Sequence, residues 1–197
     1  MSLVPDFELG LWNAWIFMLY VIFSNVLPYV LSGKLIDKDL LKKATAADMQ
    51  LNKTEKKVSN IISFLFFALI AYSLFLPFKL GTIWLYVGFL TYLLGAIIET
   101  IAMLDFFTTA VDKLVTKEVY RISRNPMYLG MFLIFIGIGI ACVSWLFLLL
   151  TTALIILIHI SVISEERLCL EKYGDAYREY MIRTPKWIGT PKSEQRD

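Results

Sequence analysis

"RISRNPMYLG", Arg121 to Gly130, sets two arginines and an Asn-Pro pair hard against the start of a long apolar run. The residue before a proline avoids helical dihedrals, proline is favoured at the first helical position, and asparagine is among the best N-caps. The stretch therefore predicts a helix that opens at Pro126 with Asn125 as its cap. Met127 to Val143 then passes without a single charged residue. A helix that starts among arginines and stays apolar for that length is one entering a membrane.

The rest of the chain agrees. Of 197 residues, 58% are hydrophobic and 18% charged, against about 25% charged in an ordinary soluble domain. The apolar residues are gathered into five runs, about 11–31, 61–77, 82–104, 126–143 and 145–163. Each approaches the roughly 20 residues that a helix needs to cross the hydrocarbon core. The fourth and fifth meet at "CVSW", which leaves room only for a tight antiparallel turn. The second and third meet at "FLPFKLG", a hairpin by its Pro and Gly. The expectation is an all-α, polytopic membrane protein: a single membrane domain over residues 1–197 with five transmembrane helices, helical cytoplasmic connections and a C-terminal tail.

Charge tests the helix count. Of the 19 Lys and Arg, seven lie in residues 33–60, four in 105–125 and seven after 163. With five alternating spans these 18 share one face, and Lys79 alone lies on the other. The positive-inside rule then puts the N-terminus outside and the tail in the cytoplasm. The opening "MSLVPDFELG" has acidic residues where the basic region of a signal peptide belongs. In "DFFTTAVDKLVTK" the apolar residues fall at 106, 107, 110, 111, 114 and 115. That spacing predicts a helix with one greasy face, either in the membrane interface or against the protein's own cytoplasmic side. The lysines of the 33–60 segment suit lipid headgroups better than nucleic acid. Cys142 and Cys169 fall at opposite ends of the fifth run and are not expected to pair.

Two constellations carry chemistry. The first is the mouth of the fourth helix, where backbone N–H groups beside Arg121 and Arg124 suit an anion such as a carboxylate or phosphate. The second is "ISEERLCLEKYGDAYREYMIRTPKWIG", in which Glu165 and Glu166 arrive as the fifth helix leaves the membrane. Antiparallel hairpin partners bring the two to one corner, which offers anion-holding and cation-holding groups together. That combination suits a zwitterionic amino-acid moiety. His159, seven residues before Glu166, falls near the same helical face; it serves there as a proton acceptor or as an interhelical hydrogen-bonding group. Tyr173, Tyr177 and Tyr180 are spaced to share one face of a tail helix. Glu99 is an ionisable group inside an apolar run, hence a candidate for the acceptor site.

The pair "RNPMYLG" and "EERLCLEKYGDAYREYM" resembles the isoprenylcysteine carboxyl methyltransferase and phospholipid N-methyltransferase group of integral membrane enzymes. The group's pattern, Tyr-x-x-x-Arg-His-Pro-x-Tyr-x-Gly followed by Glu-Glu and Tyr-Gly-x-x-Tyr, falls here on Tyr120, Arg124, Asn125, Pro126, Tyr128 and Gly130, then Glu165, Glu166, Tyr173, Gly174 and Tyr177. The resemblance covers about residues 114–188. It implies that S-adenosylmethionine is held by Tyr120, Arg124, Asn125, Pro126, Tyr128, Gly130, Glu165, Glu166 and Tyr177, and that a lipophilic or membrane-borne acceptor is methylated.

Three departures matter. Asn125 stands where His is common, although the phospholipid branch also uses an Asn-Pro-Met-Tyr core. Ser161 stands where the isoprenylcysteine enzymes place an arginine against their substrate carboxylate. The Gly-x-Gly stretch of the phospholipid enzymes is not found around residues 100–112. The acceptor thus stays open among a carboxylate, a phospholipid amine and a thiol. An amine or thiol must lose a proton, for which His159 or Glu165 is the candidate; Glu99 is the third candidate catalytic group. The competing reading is an NADPH-dependent membrane reductase of the sterol reductase type, which shares an Arg-His-Pro-x-Tyr element. A non-catalytic relative is the remaining one, which the intact Glu165, Glu166, Asn125 and Tyr128 do not favour.

Overall fold

The computed structural model describes residues 10–34, 51–110 and 113–189. The N-terminal stretch 1–9, most of the lysine-rich segment (35–50), residues 111–112 and the C-terminal stretch 190–197 lie outside them. Among the described residues the chain is all-α, with six α-helices: α1 (Trp15–Lys34), α2 (Lys53–Ser73), α3 (Ile83–Thr108), α4 (Pro126–Ala141), α5 (Trp145–Tyr173) and α6 (Asp175–Arg183). A short 3-10 turn, Glu118–Arg121, precedes α4.

Three helices, α2, α3 and α5, are long and apolar enough to cross a membrane. The 16 residues of α4 are apolar too but rise only about 24 Å, less than the roughly 30 Å of a hydrocarbon core. The outer faces carry large exposed side chains such as Phe64, Phe67, Trp84, Leu90 and Leu149. Inside, Met18 and Val21 of α1, Leu69 of α2, Ile134, Phe135 and Ile138 of α4, and Phe147, Leu154 and Val162 of α5 form one core.

One pair of helices sets the frame. Antiparallel α3 and α4 touch backbone to backbone through Gly88 and Gly95 on one side and Gly130 and Gly137 on the other. A Cβ on Gly95 would stand 2.6 Å from the Gly130 carbonyl oxygen, and one on Gly137 would stand 2.6 Å from the Tyr92 nitrogen. No side chain fits at that separation. The seven-residue step within each helix, close to two turns, keeps both glycines on the facing stripe. Tyr20 of α1 packs behind this pair and donates to the Ala96 carbonyl at 2.9 Å.

The two ends of the bundle differ. At one end the chain just before α1 pairs with the α2–α3 hairpin: Asn13 bridges Pro77, and its side chain donates to the Leu74 carbonyl at 2.7 Å. The hairpin turns at Gly81, with φ of 73°, and Lys79 donates to Ala141 at the α4–α5 turn. Ser144 caps α5 by accepting from Phe147 N at 3.2 Å. Both predicted hairpins are therefore present, on the end that carries Lys79. The opposite end holds Arg121, Arg124, Arg167 and α6.

Several expected boundaries move. The second run was expected at 61–77, yet α2 starts at Lys53: Asn52 caps it, accepting from Thr54 N and Glu55 N while Glu55 receives the Asn52 N–H. That reciprocal capping box sits in "NKTE", polar residues that a hydropathy reading leaves outside the helix. The fifth run was expected to end at 163, yet α5 continues to Tyr173. The amphipathic helix expected over 106–115 is absent among the described residues. Instead α3 ends at Thr108, and Thr109 turns its hydroxyl back onto the Asp105 carbonyl at 2.7 Å. Its apolar residues Phe106 and Val115 pack with Ala102, Val119, Tyr120 and Met127 in a second small core, so they face the protein's own helices. Neither cysteine is in a disulfide.

Gly130→Ala would put a methyl group 2.7 Å from the Glu99 nitrogen; thermal unfolding of the purified protein should register a loss of about 1–3 kcal/mol. Gly139→Ala meets mainly the flexible tip of Leu148 and should lose less. Equal losses would contradict the backbone contact as the constraint.

Candidate functional site

The loop Ser123–Asn125 does not face outward. The Arg124 backbone N–H donates to the Pro185 carbonyl at 3.0 Å. Ser123 Oγ donates to the Lys186 carbonyl at 3.2 Å, and Asn125 Nδ2 donates to the same oxygen at 3.1 Å. Asn125 thus holds the N-cap position, but its side chain makes no capping hydrogen bond. The expected side-chain cap is replaced by a contact with a segment 60 residues away, which local sequence rules have no means to anticipate. Pro126 is buried at the first helical position, as expected.

Tyr120 is buried beneath this loop, and its carbonyl accepts from the Tyr180 hydroxyl at 2.7 Å. Tyr177 and Tyr180 are both buried and in ring contact at 5.9 Å. Burial raises the phenol pKa of Tyr120, Tyr177 and Tyr180 above the ordinary value, so each stays a neutral hydroxyl through physiological pH. Of the predicted tyrosine face, Tyr173 is only half-buried and lies on α5.

Arg124 and Glu166 meet at 2.9 Å, their side chains 8% and 9% exposed. The pair is in contact but poorly directed: Arg124 Nε and Glu166 Oε1 are buried without a hydrogen-bond partner. The other carboxylate oxygen of Glu166 takes Lys186 Nζ at 2.9 Å. Arg124 Nη1 donates to the Met181 carbonyl at 3.2 Å, which fixes the guanidinium from the α6 side. One carboxylate between two cations, with hydrogen-bonding capacity unused on Arg124 Nε and Glu166 Oε1, is a cluster complementary to a ligand that brings both signs of charge.

The adjacent Glu165 turns elsewhere. Successive helical residues diverge by about 100°, and Glu165 accepts from the Tyr128 hydroxyl at 2.7 Å. Glu165 and Tyr128 line a cavity of about 140 Å³ together with Leu51, Ser59, Ile62, Ile158 and Ser161. This cavity lies between α2 and α5, beside the Arg167–Glu55 ion pair at 3.1 Å that joins those helices. Counting from Trp145, Glu165 sits about 30 Å along α5, one hydrocarbon thickness from its start.

The remaining predicted residues divide. Gly130 lies in the α3–α4 seam against Glu99. Glu99 is buried at 8% exposure, and its Oε2 has no hydrogen-bond partner. It is absent from the lining of the Glu165 cavity. His159 is exposed on α5, stacked on Trp187 with ring centroids 5.8 Å apart, and its Nδ1 accepts from Trp187 Nε1 at 3.0 Å. Sequence reading missed Lys186 and Trp187, whose roles depend wholly on non-local contacts.

Removing one partner of a buried ion pair strands the other. Arg124→Met should lower the stability of the purified protein by about 3 kcal/mol, the low end for such pairs because Lys186 remains. Arg167→Met, at a half-exposed pair, should cost less. Melting curves of the two variants decide it, and a larger loss at Arg167 would contradict the assignment.

The family model for phospholipid methyltransferase matches residues 78–176, a stretch that runs from the α2–α3 hairpin to the start of α6 and contains Arg124, Asn125, Tyr128, Glu165 and Glu166. No curated protein and no solved structure matches the chain significantly. The family's enzymes transfer a methyl group from S-adenosylmethionine, which sets aside the reductase alternative. The chain belongs to the phospholipid methyltransferase family and is an S-adenosylmethionine-dependent methyltransferase of the membrane.

Proposed function

We propose that the protein methylates the amine of a membrane phospholipid, with cofactor and acceptor served by different sides of α5. The observation that carries this reading is the divergence of Glu165 and Glu166. Glu166 lies in a charged cluster with Arg124 and Lys186, whereas Glu165 lines a cavity otherwise made of hydroxyl and apolar groups.

The charged cluster fits the amino-acid end of S-adenosylmethionine. Glu166 Oε1, which touches Arg124 Nη2 at 2.9 Å without a well-directed hydrogen bond, suits an ammonium group, and Arg124 Nε, which has no hydrogen-bond partner, suits a carboxylate. Arg124 and Glu166 would hold that end, with Tyr120, Asn125, Pro126 and Tyr177 shaping the surroundings. Gly130 contributes by letting α3 and α4 close. When bound, the cofactor supplies a methyl group on a sulfonium, which an amine lone pair displaces in line.

Glu165 supports an amine as the acceptor. Among the described residues lining the cavity it is the only charged one. A carboxylate set among hydroxyl and apolar groups favours an alkylammonium over an anionic acceptor. Ser161 lines the same cavity, at the position where the isoprenylcysteine enzymes carry an arginine for their carboxylate. An amine is protonated in water near neutral pH and must lose that proton before it attacks. Glu165, oriented by Tyr128, is placed to hold the ammonium and take the proton. In this reading Glu99, outside the lining of that cavity, is not the group that takes the proton.

The topology completes the reading: five membrane helices in a single membrane domain, with α1 and the shorter α4 packed alongside the three longer ones. The basic end and the site lie in the cytoplasm, and the N-terminus lies outside. A lipid would reach the cavity sideways between α2 and α5, past the exposed apolar faces of both.

Transfer of labelled methyl from S-adenosylmethionine to vesicles containing phosphatidylethanolamine tests this directly. Label should appear in the amine headgroup, and Glu165→Gln should lower kcat by about a hundredfold or more while cofactor binding persists. Label entering an isoprenylcysteine carboxylate in place of the amine would refute the acceptor assignment.

A further inference from the structure

Thr184 to Trp187 forms a short strap after α6, beyond the stretch that matches the family. It is held by three separate parts of the chain. The loop before α4 grips it through Arg124 N on the Pro185 carbonyl and through Ser123 Oγ and Asn125 Nδ2 on the Lys186 carbonyl. Its lysine pairs with Glu166 of α5. Its tryptophan stacks on His159 of α5, donates to His159 Nδ1 at 3.0 Å, and lies 5.3 Å from the Phe132 ring of α4. Thr184, at the start of the strap, is buried.

Two physical consequences follow. Lys186 takes one oxygen of the Glu166 carboxylate and Arg124 the other, so the carboxylate keeps one orientation between the two cations. His159 is also committed. A neutral imidazole has one acceptor nitrogen, and here it is occupied by the Trp187 N–H. With Nδ1 accepting, Nε2 carries the hydrogen, and no ring nitrogen is left to take a proton from a substrate. His159 also lies about 10 Å down the helix from Glu166.

We propose that the strap is a positioning element of the methyl-transfer site. Lys186 orients Glu166, and Trp187, docked on His159, holds Lys186 in place. His159 is therefore an anchor for the strap and not the base of the reaction. This rests on the reading of Arg124 and Glu166 as the cofactor cluster.

Calorimetric binding of S-adenosylhomocysteine, the demethylated cofactor, tests it without knowledge of the acceptor. Lys186→Met should weaken binding by about tenfold, the scale of one charge-assisted contact. Trp187→Phe, which keeps an aromatic ring but loses the N–H, and His159→Leu should each weaken it about threefold or more. The double variant should be no worse than the worse of the two, because both remove one interaction. His159→Gln keeps an acceptor but is no base, and should recover most of the loss seen in His159→Leu.

Wild-type affinity in both Trp187→Phe and His159→Leu would overturn the proposal, since a base without a seated strap has no reason to alter cofactor affinity. If Lys186→Met does not fold, these two conservative variants and the Gln rescue still decide the question. Absence of binding by the wild-type protein would be a different failure, one that takes down the cofactor cluster itself and the strap with it.

Discussion

Backbone contact between α3 and α4 is the constraint on which the rest of the structure depends. Gly88 and Gly95 face Gly137 and Gly130 at separations that leave no room for a Cβ. Lipid tails are as apolar as leucine, so helices in a membrane gain little from hydrophobic burial and associate through close packing instead. This seam fixes α4 against α3 along most of its length, and α4 in turn presents Tyr128 to α5 and the Ser123–Asn125 loop to the tail. The motif glycine, Gly130, thus acts at a distance from the charges it accompanies in sequence. It brings the mouth of α4 to the level at which Glu165 and Glu166 leave the bundle.

At that level the chain holds two kinds of polar site within one turn of α5. Glu166 is in a dry, ion-paired cluster; Glu165 opens to a cavity between α2 and α5. In the proposed reading one site takes a ligand zwitterionic at its held end and the other a lipid-borne one. Adjacent glutamates pointing some 100° apart would serve both. The buried charges are expensive unless paired, and the pairing partners come from the α4 loop and the tail, which ties the site's electrostatics to its fold.

Much of this was legible in the sequence, for identifiable reasons. Hydropathy located the apolar runs and both hairpins because membrane helices are written in long blocks, and "RNPMYLG" with "SEER" marked the corner where the charges meet. Boundaries were less legible. The helix start at Lys53 is signalled by Asn52 and Glu55, a capping signal that hydropathy passes over, and α5 outruns its apolar part by ten residues. The greasy stripe of 106–115 has helical spacing, but its Phe106 and Val115 are claimed by a local core around Ala102. Tertiary contact overrode propensity there. Asn125 was read as a cap from local rules, while its side chain is taken by Lys186. The strap and the alignment of the glycine seam depend on which helices meet, and a pattern along one chain does not disclose that.

We propose that three distant stretches, the loop before α4, the α5 segment around Glu165 and Glu166, and the tail strap, form one cofactor-binding unit at the basic end of the bundle. Hydrogen exchange of the purified protein, with and without S-adenosylhomocysteine, reads this out. The ligand should slow exchange together in residues 119–128, 161–168 and 181–187, and leave the α2–α3 and α4–α5 turns at the opposite end unchanged. Protection confined to that opposite end, or to only one of the three stretches, would contradict it.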